Sequence, residues 1–576
     1  MFTAEGKKVD LSAPRNEYPR PQMVRDSYFS LNGQWEFEMN GVSEPPENYS
    51  EKIVVPFSVE TPLSGVCREV KKDDCMHYRK VFSLPDDFLG KRVLLHFEAV
   101  DQVADVWVNG ELLGHHEGGY LPFDVEFFPR KKENEIVVLV RDDTSSHVFQ
   151  RGKQSLSSDG IWYTPTSGIW GNVWMEAVPN EAIRRIVINP NYDGKKVSVS
   201  IDFDGAIAHS KVIVEYHGKT VGTGAFDSKG EVEIDCSNEF HPWSPESPDL
   251  YDLRIEVNED SVQSYFGLRK FGKIMHRGKM VFALNDKPYL MKGVLDQGYF
   301  PDGGLTAPTD QAMVNDILLM KSMGFNMLRK HIKIEPARWY YHCDRLGMLV
   351  IQDFINNGAP YKTFLVAVAP FLPLRFRDNR KKGYERFGQG DKASRDFFEA
   401  QLPPVTAHLF NVVSLCTYVL FNEGWGQFDS VRLTGVLRSL DSTRLIDSDC
   451  GWYDQGAGDF SGNHIYFRPI HMKHDRKRIL TLSEFGGYSE RIEGHCFSEK
   501  NFGYKLCQTK EALSNDLSKL FREQLGKTIK KQMLSSYVYT QLSDVEQETN
   551  GFVTYDREVV KVDIDLMKRL NDEMHW

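Results

Sequence analysis

The sequence lacks the marks of several large protein classes. Its eight cysteines, at positions 67, 75, 236, 343, 416, 450, 496 and 507, show no Cys-x-x-Cys spacing, which removes zinc-ribbon and dithiol-redox motifs. Cys343 and Cys416 sit in apolar segments and read as small buried hydrophobes. The most apolar run, Phe364 to Leu374, is too short to span a bilayer and carries Pro370 and Pro373. Met1 to Lys8 lacks the apolar core of an export signal, and with free thiols this predicts a reducing, cytoplasmic setting. Positive charge is not in excess: 70 Lys and Arg stand against 81 Asp and Glu, a net −11, so there is no basic footprint for nucleic acid or an anionic membrane. There is no Gly-x-Ser-x-Gly elbow. Gly456-Ala457-Gly458 lacks the dinucleotide-binding spacing, and Phe521 stands where a phosphate loop ending in Gly526-Lys527-Thr528 needs its first glycine. His464, His471 and His474 near Cys450 fit neither zinc-finger nor His-Glu-x-x-His spacing, so neither metal nor cofactor is expected.

The 41% hydrophobic and 12% aromatic content suits large cores in a chain of 576 residues, long enough for several domains. Residues 1–179 read as many short strands with Gly and Asn turns and no helical periodicity. Ala104 to Val108 turns through Asn109-Gly110 into Glu111 to Gly114, a strong hairpin signal. A jelly-roll β-sandwich is predicted there. Residues 180–272 hold a second, smaller set of alternating strands that suits an immunoglobulin-like sandwich. From 273 to 576 the rhythm turns to strand then helix, with Thr309 to Met323 and Pro336 to Leu346 as helices stopped by Gly324 and Gly347. Eight strand candidates there predict a (β/α)8 TIM barrel.

Two of these strands share one grammar. Val412 to Phe421 is an apolar run that stops at Asn422-Glu423-Gly424-Trp425, and Ile479 to Ser483 stops at Glu484-Phe485-Gly486-Gly487. Chemistry in a parallel barrel sits at the C-terminal strand ends, so two glutamates so placed face one pocket. The other strand ends supply Asp296, Arg329, His331, Asp353, Tyr466 and Gln541, and Trp425 and Trp452 lie nearby. Carboxylates, amides, hydroxyls and indoles together suit a carbohydrate substrate. Two carboxylates flanking a glycosidic bond are also the minimum apparatus for its hydrolysis: one protonates the leaving oxygen, the other attacks the anomeric carbon or activates water.

The three-part order, Leu31-Asn32-Gly33-Gln34-Trp35-Glu36-Phe37, Gly168-Ile169-Trp170-Gly171-Asn172-Val173-Trp174 and Asn422-Glu423 together resemble glycoside hydrolase family 2, which holds β-galactosidases, β-glucuronidases and β-mannosidases. The resemblance implies retaining hydrolysis, with Glu423 as acid/base and Glu484 as nucleophile. It implies Asn422 on the sugar 2-hydroxyl and Tyr466 on the nucleophile. Arg329 and His331 would line the sugar site, and Asp296 and Asp353 match more loosely. The family's β-glucuronidases carry a late Asn-x-Lys; Asn550-Gly551-Phe552 has no lysine, which argues against a glucuronide. Tyr539-Thr540-Gln541 replaces the tryptophan common at the last strand. The expected activity is a retaining exo-β-glycosidase, a β-galactosidase first. Other sugars (β-glucuronide, β-mannoside, arabinoside) and a non-catalytic carbohydrate-binding protein are the alternatives. The sandwiches leave room for a homo-oligomer.

Overall fold

The computed structural model describes residues 1–360, 362–372, 374–472, 475 and 477–576. Pro373 of the apolar run and His474 of the histidine group lie outside them. No helix among the described residues is long and apolar enough to cross a membrane, and all eight cysteines are unpaired, with Cys343 and Cys416 buried.

Two antiparallel sheets of six and four strands, drawn from residues 29–178, enclose one apolar core built on Trp35, Phe37, Tyr78 and Val106. Asn109 and Gly110 both take positive φ, +52° and +83°, as the tight turn between Val103–Val108 and Glu111–Glu117 requires. Seven further antiparallel strands between Ile183 and Phe266 form sheets of three and four around a second core. The chain's first residues reach other units: Val24 bridges to Gln263, and Thr3 hydrogen-bonds Asp302.

The barrel is one parallel sheet of β1 (Met291–Asp296), β2 (Met327–Lys330), β3 (Leu349–Asp353), β4 (Leu415–Asn422), β5 (Leu445–Cys450), β6 (Phe460–Ile465), β7 (Ile479–Gly486) and β8 (Ser536–Thr540). Its order is β5-β4-β3-β2-β1-β8-β7-β6, so β5 and β6 are its two edges and meet at a seam without a strand ladder. Helices α1 (Asp310–Ser322), α2 (Ala337–Leu346), α3 (Lys392–Leu409) and α4 (Ser430–Leu440) follow β1 to β4. Thr309 caps α1 by accepting from the N–H of Ala312, and Gly347 ends α2 in the left-handed region. No helix follows β5 or β6 among the described residues, a departure from the regular alternation that the sequence pattern predicts. The hairpin of Phe271–His276 and Lys279–Leu284 packs Phe271, Phe282 and Leu284 against Met291 and Met327 under the barrel.

Asp344, near the end of α2, ties this frame together. Its buried carboxylate accepts the N–H of Ser414 (2.7 Å), the N–H of Val413 (3.2 Å) and the hydroxyl of Tyr265 (2.8 Å). Its carbonyl accepts from the Trp243 indole at 2.7 Å. The immunoglobulin-like sandwich, α2 and the entry to β4 are thereby held at one residue. Removing that acceptor strands three buried donors, each costing about 1–3 kcal/mol. Asp344→Ala should therefore lower stability by about 3–5 kcal/mol, with Asp344→Asn recovering part of it, read from denaturant or thermal midpoints.

Candidate active site

The strands deliver their polar ends to one mouth. Glu423 follows β4 directly with φ +53°, a left-handed conformation costly for a residue with a Cβ, and its N–H is held by the Cys450 carbonyl at 2.9 Å. The next residue, Gly424, takes φ +77°, which glycine adopts freely, and a Cβ there would lie 2.5 Å from the Tyr453 ring. Glu484 lies inside β7, its side chain only 7% exposed against 16% for Glu423. Carboxylate oxygens of the two glutamates and a nitrogen of His464 all lie within 4.8 Å of one another. The closest of these contacts, His464 Nδ1 to Glu423 Oε1 at 2.6 Å, is a hydrogen bond. Donors sharing a tetrahedral ion at ~2.0–2.1 Å would stand farther apart. A second group able to offer three ligand atoms is His495, Asp556 and Glu558, of which Asp556 is buried and Glu558 exposed.

Arg329 is the centre of the floor. Its guanidinium donates to both oxygens of Asp353 at 3.0 Å, to Glu484 Oε1 at 3.0 Å, to Asn422 Oδ1 at 2.8 Å and to the Ser483 carbonyl at 3.1 Å. Tyr466 donates its hydroxyl to Glu484 Oε2, contacts Thr540 at 3.0 Å and stacks on Tyr504 with ring centroids 3.7 Å apart. Burial opposes ionisation of Glu484, but the fields of His464, Arg329 and His331 and the Tyr466 hydroxyl outweigh it and hold its pKa at about 2. His331 bonds Asp353 through Nδ1 at 2.7 Å, and burial first, then Lys153, pushes its pKa down to about 4.

The remaining residues named from sequence part company. Trp452 lines the main cavity of about 870 Å³ together with Glu423, His464 and Tyr466. Trp425 does not; it is buried in edge contact with Trp162 and lines an adjacent recess of about 440 Å³. Asp296 is spent on Lys330 (2.7 Å) and the N–H of Gly298 (2.9 Å), in a buried network with Lys333 and Glu335. Gln541 is fully buried, accepting from Gln297 at 3.0 Å and donating to Asn550 at 2.9 Å. Neither reaches the two glutamates through these bonds.

Sequence reading missed three contributors. His464 fits no metal-ligand spacing, yet it stands two residues before Tyr466 on an extended run and so shares its face. Tyr504 comes from the long link between β7 and α-helical residues 510–519. Asp159, Gly160, Ile161 and Trp162 reach the cavity from the first sandwich, anchored by Tyr163 donating to Glu548 at 2.5 Å and by Glu546 accepting the Thr164 N–H at 2.7 Å. A short local motif carries no signal of such an inter-domain contribution.

The depressed Glu484 carboxyl has a thermodynamic consequence. Its folded pKa of about 2 lies below the ordinary 4.5, so its stabilisation is complete above about pH 5 and is lost as pH falls through that window. The stability of wild type relative to Glu484→Gln should fall by on the order of 2 kcal/mol between pH 5 and pH 3, measured by parallel denaturant titrations.

Three segments match family descriptions: residues 38–179 "Glycosyl hydrolases family 2, sugar binding domain", 180–269 "Glycosyl hydrolases family 2", and 276–468 "Glycosyl hydrolases family 2, TIM barrel domain". A β-galactosidase of Streptococcus thermophilus is 29% identical over 293 residues, 48% of this chain and 27% of that protein. A β-galactosidase of Leuconostoc mesenteroides subsp. mesenteroides is 25% identical over 549 residues, 85% of this chain and 48% of that protein. The chain thus spans half or less of the length of these two relatives. Among solved structures, a β-glucuronidase of an uncultured Clostridium species shares the fold, with a TM-score of 0.74 at 17% identity over 96% of this chain and 99% of that one. Three consecutive matches over the two sandwiches and the barrel place the chain in glycoside hydrolase family 2.

Proposed function

We propose that the chain is a retaining exo-β-glycosidase, with Glu484 as nucleophile and Glu423 as acid/base. The observation that carries this reading is that one oxygen of each carboxylate comes within 4.8 Å of the other, a closest approach in keeping with a pair set for direct attack. Retaining enzymes place the pair about 5–5.5 Å apart for direct attack, whereas inverting enzymes need about 6.5–9.5 Å to admit a water. The environments also divide the roles. Arg329 and Tyr466 hold Glu484 ionised, as a nucleophile requires. Glu423 stands at the cavity wall, where it would protonate the departing oxygen and then deprotonate the water that releases the sugar. Asn422, oriented by Arg329, would meet the 2-hydroxyl.

A β-galactoside is the first choice of sugar. The two sequence relatives named above are β-galactosidases. Where a glucuronidase would offer a lysine this chain has Phe552, buried and stacked on Tyr539, while Asn550 spends its amide on Glu548 and Gln541. A carbohydrate-binding protein without turnover is the second reading, favoured by one feature: Gln541, in place of a tryptophan, is locked in that amide network below the site.

A panel of aryl glycosides (β-galactoside, β-glucuronide, β-mannoside, β-glucoside, α-arabinofuranoside) tests both readings. Wild type should release the phenol from one of them, with the β-anomer appearing first by NMR. Glu484→Gln should lose on the order of 10⁴-fold or more in kcat. A 2-deoxy-2-fluoro glycoside of the same sugar should label Glu484, seen by peptide mass. Binding without release across the panel would establish the second reading instead.

A further inference from the structure

Glu423 is gripped twice by one neighbouring residue. Its backbone N–H donates to the carbonyl of Cys450, the last residue of β5. The Cys450 thiol in turn stands 3.5 Å from His464 Nε2, and His464 Nδ1 stands 2.6 Å from Glu423 Oε1. Glu423, Cys450 and His464 therefore form a closed ring of three contacts across β4, β5 and β6.

The direction of the His464–Glu423 contact follows from what surrounds Nδ1. Burial keeps Cys450 a thiol, since its pKa is raised well above the ordinary value. Its sulfur meets Nε2, and Nδ1 presents its hydrogen to Glu423 Oε1. Two carboxylate oxygens converge on that nitrogen, Glu423 Oε1 at 2.6 Å and Glu484 Oε2 at 3.5 Å. A lone pair there would face two acceptor oxygens; an N–H bonds the nearer and points its positive end toward the other. The imidazole has no freedom to leave: its side chain is fully buried, and Gly451, at φ +88°, lies so close that a Cβ would stand 2.6 Å from three of its ring atoms.

We propose that Cys450 and His464 are positioning residues that fix the carboxyl group of Glu423 for proton transfer to the leaving oxygen. The inference rests on the acid/base reading of Glu423. An oxygen that accepts an N–H at 2.6 Å is not the one that carries the acid's proton, so His464 assigns the transferable proton to Oε2. The clamp sets the side-chain torsion that aims Oε2 and keeps Oε1 turned toward Glu484's side of the cavity. No proton leaves His464 in this role; it holds one oxygen so that the other acts.

A positioning role of this kind is read from leaving-group dependence, since a good leaving group needs no acid. On the sugar that wild type hydrolyses, His464→Ala should lose on the order of 10²-fold in kcat/KM with a phenyl leaving group, but less than about fivefold with 2,4-dinitrophenyl. His464→Asn, whose amide N–H can reach the place of Nδ1, should recover at least about tenfold of the phenyl activity, and Cys450→Ala should fall between wild type and His464→Ala. Equal losses on both leaving groups, or none, would overturn the proposal. If His464→Ala does not fold, Cys450→Ala decides alone, because a wild-type leaving-group slope there is equally fatal. Glu423→Ala is the control for the underlying reading. It should show the same steep dependence, with azide restoring dinitrophenyl turnover; if it does not, Glu423 is not the acid/base, and the failure lies in that assignment rather than in the clamp.

Discussion

The buried guanidinium of Arg329 is the interaction on which the site depends. It spans β2, β3, β4 and β7 by bonding Asp353, Asn422, Glu484 and the Ser483 carbonyl. A charge in that position is tolerable only because two carboxylates and two neutral acceptors surround it. The same geometry keeps two carboxylates ionised a few ångströms below a cavity. Arginine rather than lysine is required, since only a planar fork can serve four strands at once. The price of this arrangement is inflexibility: a partner lost from any strand leaves a buried charge without compensation.

Around this floor the walls come from different parts of the chain. The first sandwich sends Asp159 to Trp162 over the barrel mouth, pinned by Tyr163 on Glu548 and by Arg151 and Gly152 on the Asn356 carbonyl. Among the described residues the second sandwich contributes none to the cavity lining; it acts at the opposite end, where Trp243 bonds Asp344 of α2, which sets where β4 enters the barrel. One sandwich therefore shapes the mouth of the cavity, and the other fixes the strand that carries Glu423. Their different distances from the chemistry follow from this division.

Much of the architecture was legible because it is written locally. Apolar runs ending in Glu-Gly marked β4 and β7, and Asn109-Gly110 marked its hairpin, since buried parallel strands and tight turns each demand particular residue types in sequence. The convergence of Arg329, His331, Asp353, Asn422 and Tyr466 followed once the eight strands were assumed to close. What was not legible depended on side chains choosing partners across the fold. Asp296 and Gln541 occupy strand ends yet bond inward, to Lys330 and to Asn550, because buried lysines and amides nearby compete for them. Trp425 follows Glu423 in sequence but packs under Trp162, a residue some 260 positions away. His464 carried a signal, its two-residue offset from Tyr466, that only a strand assignment makes readable.

The seam between β5 and β6 gives the barrel a built-in line of compliance. Every other pair of neighbouring strands shares a ladder of backbone bonds, whereas these two meet through Asp459, whose N–H and carboxylate both bond Ile446, and through the close approach of Gly451 and Gly462. The Cys450–His464 contact crosses that line like a stitch at the upper rim. Breathing of the barrel along that line would reach Glu423 and His464 before Glu484, which sits on a strand laddered to both its neighbours.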